Sequence, residues 1–456
     1  MRNTFERMAL FVAGFGVIAS AMLSFTPPIS ADDKITAFHH AGLHNSKLED
    51  ALRGCVLIAE LNCTACHASE SSLAAASKTS PRLSDVGGRI DPYYIERFIQ
   101  SPHRVKPGTP MPAVMEHLSP QERRRTAQAI THFLVASSKT RNFAPEAVDT
   151  VAAERGEELF HTIGCAACHS PRDEQGQELM ADASTPLGRL EDKYHQRSLA
   201  AFLRTPHRAR PSGRMPDLKL NAREARQLAH YLLRETEVPG HLRATTFRGR
   251  VWEGLEENVS KESSAHVKDF DLTSLPQIHG NSAIVYEGFL NVSAAGKYKF
   301  FLTANGGQLL IDDAEVLQMD ASSRRGVKSA AGEAELAAGW RKIKLTYIHA
   351  GREPAMKFEM QGPDGKQAPI PTERLSISKD PIEAYQPFEV DESLIDEGRR
   401  SFAKLGCAQC HNDVKVPQPD PMPALAKLDV SQGCLSDKGA ADAAWPRFHL
   451  TGQQQA

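Results

Sequence analysis

The chain has 456 residues, a formal net charge of -2 and a hydrophobic share of 41%, which is ordinary for a soluble globular protein. That length exceeds what one core normally serves, so about three or four domains of roughly 100–150 residues are expected. The near-neutral charge, without long runs of one sign, excludes the concentrated basic surface of a nucleic-acid binder.

The N-terminus has the pattern of an export signal. Two arginines precede an apolar run from Met8 to Phe25, and the small pair Ser30-Ala31 follows. This pattern favours a cleaved signal peptide over residues 1–31, followed by a leader over 32–44. The run is also long enough to span a bilayer, so an uncleaved membrane anchor is the alternative. Both interpretations place the rest of the chain outside the cytosol, in the periplasm or beyond.

Six of the eight cysteines form three Cys-x-x-Cys pairs, each followed directly by a histidine. Two thiols at this spacing can add across the vinyl groups of one haem, and the next residue offers an imidazole to the iron. A zinc site would need a second pair of ligands nearby, and none of the motifs has one. The sequence therefore predicts three covalent haem c groups, with thioethers at Cys63, Cys66, Cys165, Cys168, Cys407 and Cys410 and iron ligands His67, His169 and His411.

The residues before the motifs repeat as well. A glycine lies nine residues before each first cysteine, at Gly54, Gly156 and Gly398, and a bulky apolar residue lies five before it. This repeat predicts an amphipathic helix leading into each haem site. The glycine, which has no side chain, would admit a second helix at close range.

A second repeated frame follows the first two motifs. Residues 102–112 match residues 206–216, and each segment carries a methionine, 44 and 46 residues after the histidine of its motif. A thioether on a proline-rich loop suits an axial iron ligand, because proline restricts the loop. Met111 and Met215 are therefore predicted to fill the sixth coordination positions of the first two haems.

Further residues of the two frames are candidates for the haem surroundings. Pro81–Leu83 and Pro186-Leu187 could each supply the backbone carbonyl that orients a proximal imidazole. His103 and His207 are expected either to approach haem propionates or only to shape the loop.

Each methionine loop leads into a helix start. Ser119-Pro120-Gln121-Glu122 is a capping box with proline at the first helical position, and Asn221 caps the corresponding later helix. In this arrangement residues 45–140 and 148–238 resemble class I cytochrome c domains. The resemblance implies two all-helical domains in which histidine is the proximal iron ligand and methionine the distal one.

The pattern changes from Pro239 onward to short alternating runs bounded by Gly, Asn and Asp, which predict a β-sandwich. The predicted strands include residues 283–290, 297–302, 308–311 and 341–348. Residues 240–376 resemble the protective-antigen-type domain. The resemblance implies a β-sandwich, and several members of that family bind glycans through a paired-Asp calcium site.

The calcium site of that family is not expected in this chain. The acidic pair would fall near Asn305-Gly306-Gly307, which has no acid, and Asp312-Asp313 aligns with a hairpin turn instead. The module is expected either to attach a glycan or a partner or to act as a spacer.

Residues 390–456 are predicted to begin a third, incomplete cytochrome c domain. The expected methionine position falls at the end of the chain, and Met422, 11 residues after His411, lies in a segment that matches the prolines after a haem. Either the chain stops within this domain, or His449 or a partner closes the third haem. The two cysteines outside the motifs could form a disulfide or remain buried thiols: Cys55 and Cys434.

The predicted fold class is multidomain, with two all-α cytochrome c domains, an all-β sandwich and a partial α domain. The leading interpretation is an exported electron carrier with protein redox partners as donor and acceptor. One alternative is a haem enzyme, peroxidase-like or a dehydrogenase cytochrome subunit, that uses the third haem. Another makes polysaccharide binding the main task. No nucleic acid is expected, and a membrane only through an uncleaved anchor.

Overall fold

The computed structural model describes residues 49–69, 78–141, 143–171, 173, 179, 184–272, 280–321, 326–349, 354–380, 382–417, 422–428, 433–435 and 445–450. The predicted signal peptide and leader lie outside these residues. Within these ranges no helix combines the length and apolar character needed to cross a membrane.

The helices of the described residues fall in three groups along the chain. The first comprises α1 (Asp50–Glu60), α2 (Pro92–Gln100), α3 (Pro102–Val105) and α4 (Pro120–Ala136). The second comprises α5 (Thr150–Thr162), α6 (Gln196–Arg204), α7 (Pro206–Ala209) and α8 (Ala222–Leu232). The third comprises α9 (Glu392–Lys404) and α10 (Cys407–Cys410).

Both predicted helix starts are confirmed. The Ser119 hydroxyl accepts from the Glu122 amide at 3.3 Å, and the Glu122 carboxylate accepts from the Ser119 amide at 3.0 Å. Asn221 accepts from the amides of Arg223 and Glu224 at the start of α8. These bonds satisfy amides that have no partner inside the helix, and they fix where α4 and α8 begin.

The glycines before the motifs differ in their surroundings. A Cβ at Gly156 would collide with the carbonyl oxygen of Gln227 in α8, and one at Gly398 with that of Ala129 in α4. A Cβ at Gly54 would have no described atom within 4 Å apart from its own helix backbone and chain neighbours. The predicted close crossing therefore occurs between α5 and α8, and between α9 and α4 of the first group.

Two antiparallel sheets form a separate region. The strands of the described residues are β1 (Leu242–Gly249), β2 (Val259–Val267), β3 (Ser282–Val292), β4 (Gly296–Ala304), β5 (Gly306–Ile311), β6 (Ala314–Met319), β7 (Lys328–Leu336), β8 (Gly339–His349), β9 (Lys357–Gln361), β10 (Gln367–Pro369) and β11 (Leu375–Ser376). One sheet has the order β2-β1-β3-β8-β5-β6, with β11 also paired to β3, and the other has the order β10-β9-β4-β7.

One apolar core lies between the sheets and includes Tyr286, Tyr298 and Phe300, each at most 1% exposed. The four predicted strands lie within β3, β4, β5 and β8.

The sheet region contacts the second helical group through β2 and α5. The Ser264 hydroxyl accepts from the Thr150 amide at 2.8 Å, and Asp149 accepts from the Ser264 amide at 2.9 Å. Lys261 pairs with Glu154 at 2.8 Å. These bonds fix the edge strand of the larger sheet against the helix that leads into the second Cys-x-x-Cys-His motif.

Candidate functional site

Each motif is a tight turn that begins after a residue with left-handed backbone. That residue is Asn62, Gly164 or Gly406, with φ of 58°, 101° and 71°. Glycine and asparagine adopt this conformation most readily, which explains their place directly before the first cysteine.

Within each turn the amide of the histidine donates to the carbonyl of the first cysteine, at 3.0, 2.9 and 2.9 Å in chain order. One helical turn brings the two thiols and the imidazole to the same side of the backbone.

The three imidazoles each meet a backbone carbonyl through Nδ1. His169 Nδ1 lies 2.9 Å from Thr185 O, in its own module and one residue before the predicted Pro186. His411 Nδ1 lies 2.9 Å from Pro81 O, and His67 Nδ1 lies 2.7 Å from Pro423 O. The segment predicted to orient the first histidine therefore contacts the third, and the proline segment after the third motif contacts the first.

These contacts determine which ring nitrogen is available to a metal. A carbonyl oxygen can only accept, so Nδ1 of each imidazole carries the proton and Nε2 keeps its lone pair. Burial lowers the pKa of His411, which favours the neutral imidazole that a metal requires. A neutral ring held through Nδ1 is the usual second-sphere arrangement of a histidine ligand.

The first and third motifs lie next to each other. The Asn62 side-chain amide donates to Cys410 Sγ at 4.0 Å. Burial, followed by the proximity of Cys410, raises the pKa of Cys66 to about 11. Burial also raises the pKa of Cys407 to about 12. These thiols are neutral near pH 7, and an uncharged thioether in their place suits the same surroundings.

One connected cavity of about 2120 Å³ is lined by residues from all three motifs. Met111 and Met215 line the same cavity, and both side chains are half-buried. Its wall includes apolar side chains from several helices, among them Ile95, Leu199 and Phe402. The thiols, imidazoles and thioethers thus converge on a shared space with apolar walls, which fits haem.

The charge of the cavity wall also fits haem. Among the described residues that line it, Glu60 is the one acid, and it pairs with Lys78 and Arg214. Nζ of Lys193 lies 5.1 Å from the ring centroid of Tyr94 and 5.1 Å from that of Tyr194.

Burial, followed by Arg210, Lys106 and Arg89, lowers the pKa of Lys193 well below its usual value. Basic side chains that face an apolar cavity are stabilised by an anion, and the carboxylates of haem propionates are such anions.

The basic residues of this wall were not predicted from the sequence. Lys106 and Arg210 occupy the same position of the repeated proline frame, so that repeat could have identified them. In contrast, His207 of that frame is exposed, and His103 is 6% exposed with its ring centroid 4.9 Å from that of His449. Neither histidine belongs to the described lining of the cavity.

The remaining sequence candidates occupy separate places. Cys55 and Cys434 are both free thiols, and Cys434 packs with Cys63 against the cluster of Leu61, Phe448 and Leu450. Asp312 and Asp313 form the turn between β5 and β6 and pair with Arg341 and Lys342.

Comparison with known proteins identifies one family. Residues 153–235, which include the second motif and Met215, match the Cytochrome c family. No match was found among curated proteins.

Three solved structures are similar to part of the chain. The anti-sigma factor domain-containing protein from Clostridium clariflavum has 19% identity and a TM-score of 0.25, over 31% of this chain and 49% of that one. The PA14 domain of the MpAFP antifreeze protein has 13% identity and a TM-score of 0.28, over 32% and 95%. The PA14 sugar-binding domain from an RTX adhesin has 16% identity and a TM-score of 0.21, over 28% and 67%.

The chain spans about half the length of the first of these structures, at 49%. Similarity at these TM-scores assigns no function to this chain. The family match and the helical fold around it show that this chain contains a c-type cytochrome module with covalently bound haem, next to a separate antiparallel β-sheet region.

Proposed function

We propose that this chain is an exported multi-haem c-type cytochrome that carries electrons between redox partner proteins outside the cytosol. Its haems are attached at Cys63/Cys66, Cys165/Cys168 and Cys407/Cys410, with His67, His169 and His411 as proximal ligands and Met111 and Met215 as distal ligands. The observation that carries the proposal is that residues of all three motifs line one connected cavity.

Each haem supplies reversible one-electron chemistry at its iron when bound. The carbonyls of Thr185, Pro81 and Pro423 hold the imidazoles in orientation through Nδ1. Met111 and Met215 could each offer a thioether to a haem iron, and methionine ligation would raise the haem potential and favour electron transfer over reactions with oxygen. Arg210 and Lys193 balance the charge of the propionates.

The closeness of two motifs supports transfer within the chain. Asn62, the residue before Cys63, donates to Cys410 Sγ at 4.0 Å. Haems held at these two neighbouring motifs could exchange electrons within the chain.

The test is a mass measurement of full-length protein produced with export and haem attachment. We expect three haems per chain and a mature N-terminus near residue 32. Each Cys-x-x-Cys to Ser-x-x-Ser variant should lose one haem, and the Cys55→Ser variant, outside the motifs, should lose none. Chemical reduction and reoxidation should then be reversible in the absorption spectrum. Colourless exported protein with free thiols would contradict the proposal.

The sheet region is proposed to attach the cytochrome to a glycan or to a partner protein. Asp312 and Asp313 are paired with Arg341 and Lys342, so an attachment site there would not depend on calcium. Binding of the full chain to a panel of polysaccharides, with and without a calcium chelator, tests this role. We expect binding that the chelator does not change. If the chain binds no polysaccharide, the glycan role is contradicted and a protein partner is the remaining proposal.

A further inference from the structure

We infer that Met111 is the distal ligand of the haem attached at Cys407 and Cys410, with His411 on its other side, and not of the haem attached at Cys63 and Cys66. This inference rests on the proposed function and extends it, because it assigns each ligand to its haem. It also means that residues 78–138 and 391–413 together form one cytochrome domain from two distant parts of the chain.

The second module supplies the reference arrangement, since its parts are consecutive in sequence. There α5 crosses α8, with Gly156 against the Gln227 carbonyl. The amide of Asp149, the N-cap of α5, donates to His230 Nδ1 of α8 at 3.2 Å. Phe160 of α5 packs on Tyr231 of α8 with ring centroids 5.5 Å apart.

The same set of contacts recurs between α9 and α4. Gly398 lies against the Ala129 carbonyl. The amide of Asp391, the N-cap of α9, donates to His132 Nδ1 at 3.0 Å. Phe402 packs on Phe133 with ring centroids 5.9 Å apart. Three matched contacts at matched sequence offsets show that α9 takes, against α4, the place that α5 takes against α8.

The third motif is bound to the same segment beyond the helix crossing. His411 Nδ1 meets Pro81 O as His169 Nδ1 meets Thr185 O. The Asp413 carboxylate accepts from the amides of Leu83 and Ser84, both at 2.8 Å.

The imidazole of the first motif contacts a different part of the chain, although Asn62 also bonds to the backbone of Lys78. His67 Nδ1 meets Pro423 O, and the Leu425 amide donates to Ala68 O at 3.0 Å. Leu61 packs with Phe448 and Leu450. Gly54 of α1, the helix before the first motif, contacts no other helix of the described residues. Residues 422–428 and 448–450 therefore contact the first motif or its helix. Residues 445–450 also pair with the segment after Met111, through Ala113 and Arg447, so the ligand assignment rests on the order of elements around the third motif.

The ligand assignment follows from this matching. In the second module the chain passes from the carbonyl at Thr185 through α6 and α7 to Met215 and then to α8. From the carbonyl at Pro81 it passes in the same order through α2 and α3 to Met111 and then to α4. Both methionines line the cavity. Met111 thus has, relative to His411, the place that Met215 has relative to His169.

The test uses the weak far-red absorption band of oxidised haem that is ligated by methionine, measured on full-length protein with its haems counted by mass. The variant Cys63→Ser/Cys66→Ser removes the first haem and should keep the whole band. The variant Cys407→Ser/Cys410→Ser removes the third haem and should lose about half of it, leaving the contribution of Met215. Met111→Ala should halve the band in the first variant and leave it unchanged in the second.

The opposite pattern, with the band halved by loss of the first haem, would overturn the inference. So would a band that Met111→Ala leaves intact in both variants. Because removal of a haem can impair folding, a second comparison keeps all cysteines in place. Gly398→Leu should lower the temperature at which part of the band is lost, and Gly54→Leu should leave that temperature unchanged; equal effects would count against the pairing. Failure of haem attachment in the unaltered chain would instead refute the proposed function.

Discussion

Nδ1 of His411 lies 2.9 Å from the carbonyl oxygen of Pro81, 330 residues earlier in the chain. The reciprocal contact joins His67 to Pro423 across 356 residues. Each of these two histidines is therefore oriented by the segment that the order of the sequence would have given to the other.

The three glycines that precede the motifs should not respond alike to substitution by alanine. A methyl group at Gly398 or Gly156 would collide with a backbone carbonyl, so both substitutions should lower the free energy of unfolding by about 1–3 kcal/mol. Gly54→Ala meets no described atom and should instead stabilise α1 by up to about 1 kcal/mol. Denaturant unfolding of the three variants measures this. A loss at Gly54 as large as at Gly398 would show that α1 has a closely packed partner.

Met215 should control the second haem. If Met215 is the distal ligand, as proposed, Met215→Ala should remove the far-red band of the second haem and lower its potential, because methionine ligation raises the potential. Redox titration followed by absorption measures both. Met356→Ala, in a methionine that packs against the core of the sheet region, should change neither. An unchanged band in Met215→Ala would exclude this residue as a ligand.

Lys193 should tune the potential of the haems near it. Its ammonium group faces the cavity with Arg210, Lys106 and Arg89 nearby. A haem propionate beside Lys193 would favour the protonated amine, which burial alone disfavours. A positive charge near haem favours the reduced state, which carries one positive charge less, so Lys193→Met should shift at least one midpoint potential downward. Lys193→Arg keeps the charge and should restore most of the potential. Lys344→Met, on a strand of the sheet region, is the control and should leave all potentials unchanged.

His103 should make the stability of the protein depend on pH. Its side chain is buried beside His449, while Glu116 pairs with His449 at 2.7 Å and with Arg447 at 3.6 Å. Burial, and then His449, lower the pKa of His103 to about 4 from 6.5. Between these values the unfolded chain binds a proton that the folded chain does not, so stability falls as pH decreases from 6.5 to 4, by up to about 3 kcal/mol from this group.

The measurement for His103 is the free energy of unfolding across that pH range. His103→Gln should flatten the profile relative to the unaltered protein. His207→Gln, at the exposed equivalent position of the second module, should leave the slope as it is. Identical slopes in all three proteins would show that His103 titrates normally.

Local features were predictable from sequence because their causes are local. The capping residues Ser119 and Asn221 and the strand cores around Tyr286 and Phe300 act through neighbours or through period-two alternation. Strand β7 is one of several strands without a named prediction, since its residues are largely Ala, Glu and Lys and mostly exposed. Its apolar signal is too weak to separate it from a loop.

The pairing of the motifs with their carbonyls was not predictable in the same way. Pro81 and Pro423 each follow a Cys-x-x-Cys-His motif at the expected place, so sequence order assigns each to the motif before it. Only the fold shows the exchange. Gly54, Gly156 and Gly398 likewise look equivalent in sequence, although just two of them meet a crossing helix among the described residues.

The α4–α9 crossing also sets the order of events as the polypeptide emerges. Translation delivers α4 long before α9, so Phe133 and Ala129 stay without their partners from α9 while the whole sheet region is still being synthesised. Contacts of such large sequence separation form late and slowly. The cysteines of the first motif would thus be presented to the attachment machinery on an open, unfinished surface, and their pocket would close only when the C-terminal segment arrives.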